Sequence, residues 1–441
     1  MKNVIILGAA GRDFHNFNVY FKNNHSYKVV AFTATQIPDI ANRTYPLELT
    51  GKHYPYGIPI KEEADLPYLI KKFNVNVCVF SYSDISYQRI MSLASVVQAA
   101  GADFRMLGPD NTMLKSLKPV IAVCGTRSGC GKSETTRKVI DFLTSRGKKV
   151  VAIHHPMPYG DLRKQTVQRF STLSDLRKHQ CSIEEMEEYE PHIMNGNVIY
   201  AGVDYHDILR EAEDDDNGCD VIVWDGGNND MPFYKPDLWI TVADPLKVGD
   251  EKNYYPGEVN IRMADIVIIN KIDSADAADI IQLRKNIQEI NPKAIIIEAA
   301  SPIEIDNPHI IQGKKVLIIE DGPSVTHGEM KIGAGLMASE KYGAAEIIDP
   351  REYAVGKIKE TYEKYPEIGK VLPAIGYNKE QIKDLEASIE NTPCDAIVLA
   401  TPIDLGSMIK IKKPYTRVHY SLQVIGNPTL SQMIDDFIHH L

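Results

Sequence analysis

Gly125-Thr-Arg-Ser-Gly-Cys-Gly-Lys-Ser133 decides how this chain is read. The apolar run Val120-Ile-Ala-Val-Cys124 leads into it, and Glu134 to Arg146 continues as a helical stretch stopped at Gly147. Small residues between a strand and a helix let successive backbone N–H groups point into one concavity, and the helix N-terminus adds partial positive charge. Phosphate oxygens fit such a loop without bulky side chains. Gly125, Thr126, Ser128, Gly129, Cys130 and Gly131 form the cradle. Lys132 is placed to reach the β- and γ-phosphates, Ser133 to ligate Mg2+, and Glu134 opens the helix. The strict spacing would put the leading glycine where Thr126 stands; here it is displaced to Gly125. The nucleotide is expected to be ATP or GTP.

A phosphate loop needs an acid to organise its metal. Asp220-Val-Ile-Val-Trp-Asp225-Gly-Gly supplies an apolar strand that ends in a carboxylate, the Walker B arrangement. Downstream, Val267-Ile-Ile-Asn270-Lys271-Ile-Asp273 sets Asn-Lys-x-Asp after a buried strand. In many GTPases that carboxylate accepts hydrogen bonds from guanine and the lysine stem packs on the base, while ATP users keep a related asparagine. His154-His155-Pro-Met-Pro-Tyr159-Gly-Asp161 follows the second strand of the unit, whose tip faces the γ-phosphate in P-loop folds. Asp161 is therefore a candidate metal ligand or general base, and the histidines are candidate acceptor-site donors. Adjacent residues on an extended chain point to opposite sides, which argues against a metal held by both histidines. Arg163, Lys164, Arg169, Arg177 and Lys178 form either a solvated basic face or a local anion pocket.

The chain has 441 residues with 44% apolar and 24% charged content, enough for about three domains. Its formal charge of -10 excludes wholesale binding to nucleic acid or anionic membrane. Six scattered cysteines without a Cys-x-x-Cys pair suit reduced thiols in a cytoplasm. The apolar segment after Met1 is too short for a signal sequence and reads as a first strand, and no run spans a bilayer. Strand and helix patterns alternate throughout, with strands apolar on both faces, so the fold class is α/β with parallel sheets. Three units are expected: a Rossmann-like sheet over 1–118, a doubly wound P-loop NTPase sheet over 119–345, and a small α/β unit over 346–441. Gly8-Ala-Ala-Gly11 makes a tight turn after the first strand but lacks the full Gly-x-Gly-x-x-Gly spacing of a dinucleotide site.

The Gly-Thr-x-x-Gly-x-Gly-Lys-Ser loop resembles those of dethiobiotin synthetase and related ligases, chaperones and partition ATPases, several of which carry a signature lysine where Arg127 stands. The chain also resembles the family of cyclic 2,3-diphosphoglycerate synthetase and its predicted-GTPase relatives. The matching pieces are Gly8 to His15, the loop itself, His155 to Asp161, Trp224 to Asp230, Ala243 to Pro245, Pro256 to Arg262, Asn270 to Asp273, and Glu320 to Gly335. The resemblance implies transfer of the γ-phosphate to a small anionic acceptor such as 2,3-bisphosphoglycerate, followed by ring closure. It makes His155, Tyr159, Asn228, Asp230, Arg262 and His327 acceptor-side candidates, and Lys132, Asp161, Asp225 and Arg127 catalytic ones. A homodimer with Arg127 reaching the partner's nucleotide is expected by the same analogy. The competing expectation is a regulatory or metallochaperone-type GTPase, which explains Asn270-Lys-Ile-Asp273 more directly. A third is a nucleotide sensor with a second ligand at Gly8–Gly11.

Overall fold

The computed structural model describes residues 1–35, 40–155, 160–227, 229–326, 333–375, 379–403 and 405–440. Its strands form three large sheets and one short two-stranded ribbon. In the central sheet the order runs Gln168–Phe170, Val198–Ala201, Val150–His154, Val221–Gly226, Val120–Gly125, Leu238–Ala243, Ile266–Ile269, Ile295–Ala300, Gln423–Ile425. Its seven inner strands are parallel, and the two outermost pair antiparallel. Val120, Ile121, Ala122, Val123 and Cys124 are all fully buried, as the unbroken apolar run requires of a strand covered by helices on both faces. The chain leaves this strand, crosses over Val221–Gly226 and enters Val150–His154, so the strand order reverses beside it. Crevices at such reversals, beyond the carboxyl ends of parallel strands, are where open α/β sheets bind ligands.

The N-terminal sheet has the order Thr44–Tyr45, Ile58–Glu62, Tyr27–Ala34, Lys2–Leu7, Val77–Phe80, Asp103–Met106. The expected Rossmann-like character holds: every pairing is parallel except that of the two-residue edge strand. The third sheet contains Ile303–Ile305, Tyr415–Tyr420, Ala396–Ala400, Lys315–Asp321 and Glu346–Ile347, with Leu372–Ala374 also pairing to Lys315–Asp321. Lys315–Asp321 thus lies at the heart of the third sheet, although its sequence position suggested the central one. A fully buried apolar strand reads alike in either sheet; only its neighbours decide. The chain then returns, because Gln423–Ile425 edges the central sheet and helix Leu430–His439 packs Leu430 and Ile434 beside Val139 of helix Lys132–Ser145. Arg146 Nη2 ties that contact to Asp435 Oδ2 at 2.7 Å.

A buried polar seam joins the first two sheets. The His15 ring stacks on Phe233 with centroids 4.3 Å apart, and its Nε2 lies 2.6 Å from the Thr112 carbonyl. Arg12 covers the same Phe233 ring, donates to the Met231 carbonyl and lies 3.9 Å from Asp230. His155 Nε2 approaches Asp230 Oδ2 at 3.2 Å. Burial opposes ionisation of Asp230, but His155 and Arg12 outweigh it and hold the carboxyl at about 2. His155 fits because Gly11 and Gly227 flank its ring, where a Cβ on either would press against it. The Gly8–Gly11 turn is filled from within: Asp13 Oδ1 accepts from Ala10 N and Phe14 N, both at 2.7 Å. The amides that a dinucleotide phosphate would use are therefore spent on a side chain.

Removing one partner of a buried ion pair strands the other charge. Asp230→Ala is expected to lower unfolding stability by roughly 3–5 kcal/mol, read from denaturant midpoints; an unchanged midpoint would show that the seam does not hold the two sheets together.

Candidate nucleotide and acceptor site

Gly129 and Gly131 adopt φ of +77° and +101°, backbone that side-chain-bearing residues rarely take. At Gly131 a Cβ would also overlap the Asn270 amide. The loop's carbonyls are anchored from behind. Asn260 Nδ2 donates to Gly125 O at 3.0 Å and to Asn229 O at 2.8 Å, and Asn229 Nδ2 donates to Thr126 O at 2.9 Å. Lys247 Nζ reaches Ser128 O at 3.0 Å, and Lys271 Nζ reaches Gly129 O at 2.6 Å and Asp244 Oδ2 at 2.7 Å. With carbonyls held outward, the N–H groups stay turned into the concavity.

Lys132 lies at the base of the loop and ends on the Walker B acid, with Nζ 2.9 Å from Asp225 Oδ1. Thr136 Oγ1 donates to the same oxygen at 2.6 Å, and His192 Nε2 and His154 Nδ1 lie 3.2 and 3.6 Å from Asp225 Oδ2. Burial would raise the Asp225 pKa, yet Lys132 and the two histidines pull it well below the ordinary carboxylate range. Burial would likewise depress Lys132, but Asp225 and Glu188 raise it. The pair is fully ionised. Ser133 Oγ donates to Glu188 Oε2 at 3.2 Å. His154, Glu188 and Asp225 present ligand atoms that all lie within 4.8 Å of one another, close enough to share one cation. The carboxylates and the Ser133 hydroxyl fit a hard divalent ion such as Mg2+, which prefers oxygen.

The Asn270-Lys-Ile-Asp273 motif closes the other end of the loop. Asn270 Nδ2 donates to Cys130 O at 3.1 Å and Glu134 Oε1 at 2.6 Å, while Ser301 Oγ donates to both Glu134 oxygens at 3.0 and 2.8 Å. Asp273 is exposed and accepts from Ser301 N at 2.9 Å.

Several expected site residues stand elsewhere. Asp161 is half-buried, bound to Arg163 through two hydrogen bonds at 2.9 and 2.7 Å, and is not among the residues that line the cavity at Lys132 and Ser133. Arg163 is thereby spent, and Arg169 pairs with Asp215 at 2.6 Å, so this basic cluster builds no pocket at the loop. Arg262 lies on the outer face of helix Gly257–Met263, paired with Glu258; Asn260, two residues earlier and nearly opposite round the helix, is the residue that faces the loop. Arg127 is buried: its Nε donates to Asp84 Oδ1 at 2.7 Å, it pairs with Asp250, and it stacks 3.5 Å over Tyr254. That clamp occupies the guanidinium within its own chain, contrary to the expected reach toward a partner's nucleotide. His155 and Asp230 belong to the seam, whereas His154, on the opposite side of its strand, lines the cavity. Tyr159, Asn228 and His327 lie outside the described residues.

The cavity in front of the loop extends to the third sheet and divides by charge. Lys132, Arg137 and Lys271 line its phosphate side. Glu184, Glu187 and Glu188 line the far side from helix Ile183–Met194, joined by Glu320 and Asp321 at the end of Lys315–Asp321. Residues 184, 187 and 188 recur at the i, i+3, i+4 spacing that puts three side chains on one helix face. Sequence reading passed over this helix, although Ser182 and Glu185 form a capping box that announces its start. Burial pushes both Glu184 and Glu320 up to about 8.

In the folded chain Glu320 keeps a proton that the unfolded chain sheds above its ordinary value of 4.5. Stability from this group is therefore present below that value and is lost as pH rises toward about 8. Glu320→Gln, which can still accept the 2.7 Å hydrogen bond from Gly335 N, is expected to unfold at a higher temperature than wild type in mild alkali. That advantage should shrink by about 1 kcal/mol per pH unit on acidification. A constant difference across pH would show that the carboxyl is ionised throughout.

The nucleotide-binding domain of the CobW/HypB/UreG family matches residues 222–298. "Arginine synthetase ArcE" of Thermococcus kodakarensis is 58% identical over 436 residues, 99% of this chain and 97% of its own. Cyclic 2,3-diphosphoglycerate synthetase of the same organism is 23% identical over 259 residues, 53% of this chain and 58% of its own. Among solved structures, LpxK from Aquifex aeolicus with ATP superposes at a TM-score of 0.44 with 13% identity, over 84% of this chain and 99% of that one.

Proposed function

The chain belongs to the family of arginine synthetase ArcE, a family of nucleotide-dependent synthetases, and from that premise we propose that it uses ATP and Mg2+ to turn a terminal ureido group into a guanidinium, making arginine from citrulline and ammonia. The observation that carries this reading is the acidic wall facing the phosphate loop. Five carboxyl groups and no basic side chain face the transferring phosphate from the wall, so it offers a bisphosphate acceptor no cation to bind, while its oxygens suit substrates and products that bear cationic nitrogen. The 2,3-bisphosphoglycerate expectation is set aside on that charge argument, and on the partial, 23% match to the enzymes that carry the name.

The chemistry follows from the product. A ureido carbon becomes a guanidinium carbon only if its oxygen leaves, and oxygen leaves readily as phosphate. The ureido oxygen attacks the γ-phosphorus of ATP, the bond to the bridging oxygen breaks, and ADP departs. Ammonia then attacks the activated carbon, the C–O bond breaks, and phosphate leaves with the electron pair and one ammonia proton. The loop amides hold the β- and γ-phosphates, and Lys132 exchanges Asp225 for the γ-phosphate as charge gathers there. Ser133, Asp225 and Glu188 would hold Mg2+, which would supply neutralisation of the phosphate oxygens. His192 and Thr136 keep Asp225 oriented. The wall excludes bulk anions and keeps water from competing for the activated carbon.

Incubation with ATP, Mg2+, citrulline and an ammonium salt is expected to yield arginine, ADP and phosphate in equal amounts. Replacing citrulline by 2,3-bisphosphoglycerate should leave ATP intact. Lys132→Ala is expected to cut turnover roughly 100-fold or more, as loss of a donor to the transferring group does. Cyclic pyrophosphate in place of arginine would return the reading to the other branch of the family, and acceptor-independent GTP hydrolysis would favour the regulatory GTPase.

A further inference from the structure

The nitrogen donor can be located within the cavity. Glu184 and Glu187 are 2% and 3% exposed, and no donor meets their four carboxyl oxygens in good hydrogen-bond geometry among the described residues, with only Ser182 near Glu184 and Asp321 near Glu187. Buried carboxyls without donors are costly and uncommon. Both line the cavity shared with the loop, and the charge of Asp321 bears on both. Along the helix, Glu188 meets Ser133 at the phosphate end and Glu184 stands one turn away, about 5–6 Å along the same face. The wall therefore offers carboxyl oxygens and no basic side chain at a short distance from the phosphate centre, and a cation arriving there takes the place of the protons that burial holds on Glu184 and Glu187. A small cation with several N–H groups matches it.

Glutamine as the nitrogen source needs a nucleophile such as an exposed cysteine thiolate. Cys78, Cys124, Cys130 and Cys219 are buried and Cys181 and Cys394 half-buried, and burial raises the pKa of all six. No thiol is therefore poised to release ammonia from glutamine, which favours ammonium from solution as the nitrogen source.

We propose that Glu184, Glu187 and Asp321 form a binding subsite for the ammonium ion that supplies the new guanidinium nitrogen. This rests on the synthetase reading above and adds to it where the third substrate sits. The subsite holds the ion by charge-assisted hydrogen bonds, strips its water, takes one of its protons onto a wall carboxylate and so releases ammonia, with its lone pair, beside the activated carbon. Sodium and potassium lack N–H groups, so the same carboxyls favour ammonium over the abundant alkali cations.

The test separates the subsite from the parent reading. In wild type with saturating ATP and citrulline, arginine formation is measured against ammonium chloride at constant ionic strength. Glu184→Gln and Glu187→Gln are each expected to raise the KM for ammonium roughly tenfold or more, as lost charged hydrogen bonds do. The KM values for ATP and citrulline should hold within about twofold, and kcat at saturating ammonium should largely recover. A rise in the citrulline KM instead, or no change in any, overturns the subsite while leaving arginine synthesis intact. A second readout needs neither variants nor turnover: ammonium chloride should raise the melting temperature of wild type above sodium chloride at equal concentration. Equal melting curves overturn the subsite, whereas failure to make arginine from these substrates overturns only the parent reading.

Discussion

The structure turns on one buried ion pair, Lys132 Nζ against Asp225 Oδ1 at 2.9 Å. A lysine and an aspartate this deeply buried are tolerable only together, because either alone would carry an unpaid desolvation cost of several kcal/mol. Their meeting fixes the end of strand Val221–Gly226 against the start of helix Lys132–Ser145. It also draws in His154, His192 and Thr136, which have no other reason to converge. A phosphate group with its metal can replace each partner's charge for the other. The same pair that holds the folded site together is thus the one that a nucleotide exchanges.

Around that pair the chain separates two tasks by charge and by sheet. The central sheet supplies amides, Lys132 and Lys271 for the triphosphate. The third sheet and helix Ile183–Met194 supply carboxyls for whatever meets it. Among the described residues the N-terminal unit lines none of that cavity; it reaches the site through Asp84, which clamps the Arg127 guanidinium of the phosphate loop. Its own glycine turn is filled by Asp13. Its evident contribution is rigidity at the seam of Arg12, His15, His155 and Asp230. An acidic protein can use ATP without a globally positive surface, because the loop's amides bring their own local field.

The nucleotide half of the site was legible in the sequence because its chemistry is local. Gly125 to Ser133, Asp225 and Asn270 each stand in a short motif whose spacing states the geometry. The acceptor half was not legible, because its residues converge from helix Ile183–Met194 and strand Lys315–Asp321, more than a hundred residues apart, with no motif in either. Arg262, Asp161 and His155 looked functional because they are polar residues within recognisable stretches. For two of them a residue on the other side of the same element faced the site: Asn260, two residues and about 200° round the helix from Arg262, and His154, adjacent to His155 on an extended chain. Strand runs were read correctly almost throughout, since continuous apolar segments have one fate in an α/β fold. Which sheet each strand joins was harder, as Lys315–Asp321 and Gln423–Ile425 demonstrate.

The central claim is that the ureido oxygen leaves on the phosphorus delivered by the P-loop. Citrulline labelled with oxygen-18 in its ureido group tests it directly, by phosphorus NMR of the phosphate released with ATP and ammonium. The account predicts one oxygen-18 atom in each phosphate formed, visible as an upfield isotope shift, in step with arginine. Unlabelled phosphate accompanying arginine would mean that water, not the acceptor, took the γ-phosphate, and would contradict it.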